Sequence, residues 1–290
     1  MWLPFCIKIP YKAYTPKGVC YYMRKSVLFL LLFTLLNAPG LALAQTHWLV
    51  ADPIPVPRKS PLRLSLVAGD SLKAETGAEQ VKLLRFALYD GKDSLDLKPT
   101  ATGTTALVPA GEIKNSLVAG VAAELPATTI IMADLKGQLT KEQKALLALQ
   151  DTSKWRAGVQ AQEIHYAKAH IPVEGSKDKA QAHRKQLNHE LEIIPQKDPS
   201  EIKAGQEMVV QVLLHQRLLP NHKLTVWHQD KTGKRTRSVT KTGTYGMRII
   251  SIKKPGTYLL HVAQKGPHQF GFSEKVTWQS LEATYVFTVE

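Results

Sequence analysis

Along most of this chain, apolar residues recur in short runs with the two-residue spacing of strands rather than the 3.6-residue spacing of helices. Leu62, Leu64 and Leu66 alternate with Arg63 and Ser65, which predicts a half-buried strand. Lys82 to Tyr89 is a further apolar stretch, closed by the turn signal Asp90-Gly91. Thr104 to Val108, Ser116 to Ala123 and Thr128 to Met132 follow as strands. The run from Asp52 to Arg58 has proline at alternate positions and excludes helix, because proline lacks an N–H and forces the residue before it to extend. Several short strands between regular turns predict a β-sandwich over residues 45–139.

The pattern changes at Thr140. Thr140 to Gln150 has an N-cap residue, an acid in the first turn and strong helix formers, so it predicts a helix. Ser153 to Ala169 is also compatible with helix, weakened by Gly158 and ended by Ile171-Pro172. Gly175 to Lys185 is polar and basic and reads as a surface loop, with His183 and His189 in or beside it expected to be exposed. Residues 140–186 are therefore expected to be a partly helical linker and basic loop. Strand signals return over residues 187–290, which predict an immunoglobulin-like sandwich. Leu191 to Ile194 stops at Pro195, and Met208 to Leu214 follows the turn at Gly205. Lys223 to His228 and Arg235 to Thr240 are joined through Gly233 as a hairpin. Met247 to Ile252, Thr257 to Ala263 and Thr277 to Val289 complete the set. Pro255-Gly256 before Tyr258 predicts a tyrosine corner, in which the phenol bonds back to the backbone. The expected architecture is mainly β: two antiparallel sandwich domains joined by the linker.

One segment is read as an address rather than as structure. Arg24 and Lys25 precede an apolar run from Ser26 to Leu36, and Ala42-Leu43-Ala44 supplies a small-residue cleavage site. Residues 23–44 are expected to be a signal peptide, with Gln45 the mature N-terminus and residues 1–22 an upstream extension or mis-assigned start. The run is shorter than the ~20 residues that cross a bilayer, so no stable membrane anchor is expected after cleavage. The location predicted is the periplasm or the exterior. Both cysteines, Cys6 and Cys20, precede the cleavage site, which removes disulfides, thiolate ligands and thiol catalysis from the exported chain. Losing the five basic residues of positions 1–44 lowers the net charge from +14 to +9. That surplus suits anionic neighbours, or simply keeps the protein soluble. Nucleic acid is not an expected partner of an exported chain without a binding signature.

Without cysteine, the ten histidines are the strong ligands for softer metals, and all lie after residue 44. His47 stands third from the expected N-terminus. The free amine, two backbone amides and its imidazole can form a square-planar four-nitrogen site suited to Cu(II) or Ni(II). The alternative is that His47 and Trp48 pack the first strand against its sandwich. His165 and His170 are the next ligand candidates, although their spacing of five does not share a helix face well. A solvated flank is their other reading. His215, His222, His228 and His261 belong to the last domain, and His261 follows two leucines on a predicted strand. The densest basic run on a strand pair comprises Lys231, Lys234, Arg235, Arg237 and Lys241. Lys234, Arg235 and Arg237 are candidates for binding an anionic surface, or for protecting a sheet edge. Nucleophile elbow, zinc-protease, P-loop and dinucleotide motifs are absent, and no carboxylate pair stands out. An enzyme is not expected.

The order of these motifs resembles the DUF4198 family of exported bacterial proteins. His47-Trp48-Leu49 with Pro53 is similar to that family's opening, and Glu163, Tyr166 and Lys168 to its central region. Leu191 to Pro195, Asp198-Pro199, Ala204-Gly205 and the strand from Val209 to Leu214 carry the strongest similarity. The resemblance implies two β-sandwich domains, export, and a part in nickel or cobalt uptake alongside an envelope membrane protein or metal transporter. The function expected is therefore a non-enzymatic binding protein for Ni(II), Co(II) or Cu(II), with His47, His165, His170 and His261 as ligands. The alternative is a structural or adhesion-type envelope module without metal.

Overall fold

The computed structural model describes residues 46–70, 72–75, 81–90, 93–109, 116–130, 137, 141–148, 159–175, 181–267 and 278–290. All of them belong to one compact unit, Gln45–Glu290. The expected leader and upstream extension lie outside the described residues, as do 149–158 and residues 176–180 of the basic loop.

Within that range the protein is mainly β and is built from three sheets. Strands β1 (Thr46–Asp52), β2 (Leu62–Asp70), β3 (Lys73–Glu75) and β6 (Thr105–Val108) form the first. Strands β10 (Leu191–Pro195), β11 (Glu207–Leu214), β12 (Arg217–Leu218) and β15 (Met247–Ser251) form the second. The third is nine-stranded. Its order is β14 (Arg235–Lys241), β13 (Lys223–Gln229), β16 (Gly256–Pro267), β17 (Trp278–Val289), β9 (Val159–Ile171), β7 (Leu117–Glu124), β4 (Lys82–Tyr89) and β5 (Ser94–Asp96). Strand β8 (Thr128–Ile130) pairs with β9 as well. Neighbours run antiparallel except β17 and β9, which are parallel. Most strand limits fall within two residues of those the apolar pattern predicts.

The large sheet is the middle layer. Alternate residues of β7 and β9, among them Ala119, Val121, Ala167 and Ala169, pack with Trp48, Leu64 and Leu66 of the first sheet. The opposite face, with Ile164, Tyr166, Tyr285 and Phe287, packs with Ile193, Val210 and Val212 of the second. The sheet takes strands from all three segments of the sequence: β4, β5, β7 and β8 from 45–139, β9 from the middle, and β13, β14, β16 and β17 from the end.

The helix expected after Thr140 is present as α1 (Lys141–Ala148). The described part of the stretch 153–169, read as compatible with helix, is not helical: Val159–Ile171 is strand β9, buried at every residue from Ile164 to Ile171. Its Ala, Gln, Glu and Lys content favours helix in isolation. Here both edges are taken by hydrogen bonds from β7 and β17, and both faces are covered, so tertiary pairing overrides local preference. The tyrosine corner forms. Tyr258 Oη donates to Lys254 O at 2.7 Å, and Gly256 turns with φ +135° where a Cβ would meet Gln229 O at 2.3 Å.

Gly120, on β7, carries Leu187 directly against its backbone, since a Cβ there would lie 2.1 Å from Leu187 Cδ1. Leu187 is 1% exposed and has little room to move. Gly120→Ala is expected to lose about 1–3 kcal/mol by overpacking. In a Leu187→Ala background the same substitution should cost measurably less by urea unfolding. Equal costs in the two backgrounds would refute this contact.

Candidate metal centre

Polar side chains gather on the face of the large sheet that looks toward β1. Register places Ser280, Glu282 and Thr284 of β17 opposite Glu163, His165 and Ala167 of β9. On the other side of β17, His261 of β16 is opposite Thr284, and Ala263 opposite Glu282. Residues in register share a face, so Glu163, His165, His261 and Glu282 converge. Strand β1 crosses above them, tied by Thr284 Oγ1, which donates to His47 O at 2.8 Å. The His47 ring meets that of His165 edge-on, with centroids 4.2 Å apart.

Glu282 holds the cluster together. Its Oε2 lies 3.1 Å from His261 Nε2 and 3.7 Å from His165 Nδ1, while His165 Nε2 is 2.9 Å from Glu163 Oε1. Ligand atoms of Glu163, His165 and Glu282 all fall within 4.8 Å of one another. Burial pushes the Glu282 carboxyl up. The hydrogen bond from His261 and the charges of His165, His261 and Lys265 outweigh that and hold it at about 2. Glu282 is thus a carboxylate at any neutral pH. His47, His165 and Glu282 are buried, whereas the side chains of His261 and Glu163 are 19% and 30% exposed and mark the open side. The buried His165 Nδ1 and Ser280 Oγ form no hydrogen bond among the described residues. Imidazole nitrogens together with carboxylates suit a divalent transition ion.

Three of the four histidines singled out by sequence, His47, His165 and His261, are brought together. His170 is not among them, because its position on β9 is offset by an odd number from His165. It faces the other way, 3.3 Å from Asp198 Oδ1. The amino-terminal four-nitrogen arrangement needs Gln45, which lies outside the described residues. Glu282 went unnoticed in the sequence, although the one charged residue of an otherwise uncharged strand was the available signal. Glu163 and His165 share a face only once β9 is read as a strand.

The reverse face of β9 holds a second polar group. Lys168 Nζ bonds Glu192 Oε1 at 3.0 Å and Lys185 O at 2.5 Å, and Leu187 N donates to both Glu192 oxygens. Tyr166 Oη donates to Glu190, and the Tyr166 and His189 rings stack at 4.9 Å. His183 and His189, expected to be exposed, are each only 5% exposed. The chain after the basic loop turns inward to cover Lys168 and carries both histidines with it. Lys234, Arg235 and Arg237 are on or beside β14, the free edge of the large sheet, with the Arg237 guanidinium 5.0 Å from the Trp227 ring centroid. Lys234 N bonds the Asp230 carboxylate in the hairpin turn.

The fold and site thus define a mainly β protein with a buried histidine–carboxylate cluster between two sheets. The chain belongs to the DUF4198 family, a domain of unknown function, whose model matches residues 42–266. No curated protein matches it. Among solved structures, the tetra-tandem repeat in the extending region of a large adhesion protein is similar at 11% identity and a TM-score of 0.23. That match covers 85% of this chain and 50% of the other, so the chain spans half its length. The D00-D0 domain of Intimin gives 9% identity and a TM-score of 0.21, covering 83% and 99% of the two chains. The D0-D1 domain of Intimin gives 14% and 0.21, with 82% and 96% covered.

Burial, then the charges of Lys168 and Arg85, lower the His189 pKa from 6.5 to about 3. The unfolded chain therefore takes up a proton below about 6.5 that the folded chain refuses. Stability is full above that pH and falls as pH drops through the window, by at most ~1.4 kcal/mol per pH unit for one group. His189→Phe keeps a ring over Tyr166 and removes the titration. Urea unfolding between pH 7 and 5, above the range where Glu282 exchanges protons, should show a shallower decline in the variant. Equal slopes would mean His189 titrates alike in both states.

Proposed function

We propose that this protein is an exported, non-enzymatic binding protein that takes up a divalent transition ion for acquisition or delivery. Ni(II) or Co(II) are the favoured ions, with Cu(II) the alternative at the amino terminus. The ligands proposed are Glu163, His165 and Glu282, whose ligand atoms lie within 4.8 Å of one another, with His261 and His47 beside them to complete the set. The observation that carries the reading is Glu282 Oε2, shared between His261 at 3.1 Å and His165 at 3.7 Å, with His47 against His165. Histidines from β1, β9 and β16, far apart in sequence, meet around one ionised carboxylate. Metal-binding sites are built in this way, and burying such a group without a partner costs free energy. Transfer to an envelope membrane protein or transporter is the role proposed for the complex.

A second reading has its own observation. Strand β14 lies at an open sheet edge with Arg235, Arg237 and Lys241 exposed, which suits an anionic envelope surface without metal. Metal titration separates the two.

The test is a competition titration of the full chain, expressed with its own leader and its N-terminus fixed by mass, against Ni(II), Co(II), Cu(II) and Zn(II). One ion per protein is expected. Glu282→Gln should weaken binding by at least about tenfold. His47→Ala distinguishes the sites. If it abolishes binding while Glu282→Gln does not, the ion sits at the amino terminus instead. No binding by the wild type below high micromolar concentration would leave the envelope module.

A further inference from the structure

The way into the cluster is not neutral. The first sheet covers β9 and β17, and the apolar core beneath it reaches Leu259 of β16 and Trp227 of β13, while the His261 side chain two residues along β16 is 19% exposed. From there the same face of the large sheet continues through β13 to the free edge at β14. Register shows what lines it. His261 is opposite Thr225, itself buried at 4% exposure, which is opposite the exposed Val239, so the open part of the face is its flanking cations and not a bare path along that row. On one side of that row stand Lys223 and Lys241, in register with each other. On the other side stand Trp227 and Arg237, also in register, and then Arg235. Lys265 shares the face two alternations along β16, close enough for its charge to act on Glu282.

These five cations all point to the side of His261. Strands β13, β14 and β16 contain no Asp or Glu at all. The reverse side of β14 carries only Thr236, Ser238 and Thr240. With strands ~4.8 Å apart, Val239 lies roughly 10 Å from His261, and rows along a strand are ~7 Å apart. A hydrated divalent cation approaching over this surface is repelled at every step, whereas an anion is drawn in. Arg237 is steadied by the Trp227 ring, which leaves its planar fork ready for a carboxylate.

We infer that the ion arrives not as a free cation but as a complex with a small polycarboxylate, whose outer carboxylates are held by Arg237 and Lys223 while the metal engages His261 and Glu282. The inference rests on the metal reading above. It adds the chemical class of what is bound: an anionic metal chelate, with the basic strip as its specificity element.

The experiment titrates the same full-chain protein with Ni(II) in a non-coordinating buffer, with equimolar Ni(II)–citrate, and with citrate alone. The wild type is compared with Lys223→Glu/Arg237→Glu, with the milder Arg237→Gln, and with Glu282→Gln. Thermal unfolding confirms that each variant is folded. The expected result is Ni(II)–citrate bound at least tenfold tighter than Ni(II) alone, with citrate alone weak. The charge reversal should remove that preference and leave Ni(II) binding unchanged or stronger, Arg237→Gln should do so in part, and Glu282→Gln should weaken both. If Ni(II) binds and citrate merely strips it from the protein, the inference is overturned and the metal reading stands. If citrate alone binds as tightly as its complex, the strip is an anion site and the inference is again overturned. If neither form of Ni(II) binds, both fall.

Discussion

From Ile164 to Ile171 strand β9 is buried at every residue and hydrogen-bonded along both edges, yet it carries His165, Lys168 and His170 into the interior. A polar group in that position must find a partner, because water is out of reach. Much of the surrounding structure answers this demand. Strand β17 brings Glu282, β16 brings His261 and β1 brings His47 to one face. On the other face β10 brings Glu192 to Lys168, Glu190 meets Tyr166, and Asp198 stands beside His170. Removing one partner from such a pair leaves a buried charge that costs about 3–5 kcal/mol. The three sheets are therefore locked to one another through the polar residues of one strand as well as through their apolar cores.

The two faces solve the problem differently. Around Lys168 the ion pair is closed, although Tyr89 Oη and His189 Nε2 on that face form no hydrogen bond among the described residues. Glu192 accepts from Lys168 and from Leu187 N, and Lys168 also reaches Lys185 O, so the turn over Gly120 is pinned shut. Both side chains are under 5% exposed. Burial pushes the Lys168 ammonium down, and the adjacent Glu192 carboxylate works against that shift. Around His165 the network is more open: among the described residues its Nδ1, 3.7 Å from Glu282 Oε2, and the nearby Ser280 Oγ form no hydrogen bond, and Glu163 and His261 reach toward solvent. A closed pair specifies a fold. An open set with spare donor atoms has capacity for a ligand.

The strands were legible in the sequence because alternation and turn residues are local signals. Leu62 to Leu66, Lys82 to Tyr89 and the hairpin at Gly233 announce themselves, as does the corner at Tyr258, whose phenol bonds Lys254 O. Strand β9 was not legible, because its identity comes from β7 and β17, which are distant in sequence. That single misreading hid the site. On a helix Glu163, His165 and His170 have no common purpose; on a strand Glu163 and His165 face Glu282, and His170 turns away. His47 and His261 were visible as candidate ligands by chemistry alone, but their convergence depends on strand order, which sequence does not give. His183 and His189 were misplaced for a related reason. A polar, basic stretch reads as solvated, and only the buried Lys168 explains why the chain beside it folds inward.

The position of the cluster within the large sheet carries the last step. The middle of a sheet covered on both sides is a poor place for a ligand, and its free edge a poor place for a buried one. His165 is 2% exposed and the His261 side chain 19%, so the cluster has a dry interior at His165 and a more open margin at His261. Edge protection alone would be served by charge on either side of β14. Its arginines and Lys241 instead share the side that leads to His261, and the acids that would neutralise them are absent from the three strands between. Beyond that basic margin lies Glu282, whose carboxyl is held ionised at about 2 by the imidazoles and Lys265. Positive charge outside and a carboxylate with nitrogen donors within make an ordered pair of environments. A species with an anionic exterior and a cationic centre satisfies both, which neither a bare cation nor a simple anion does.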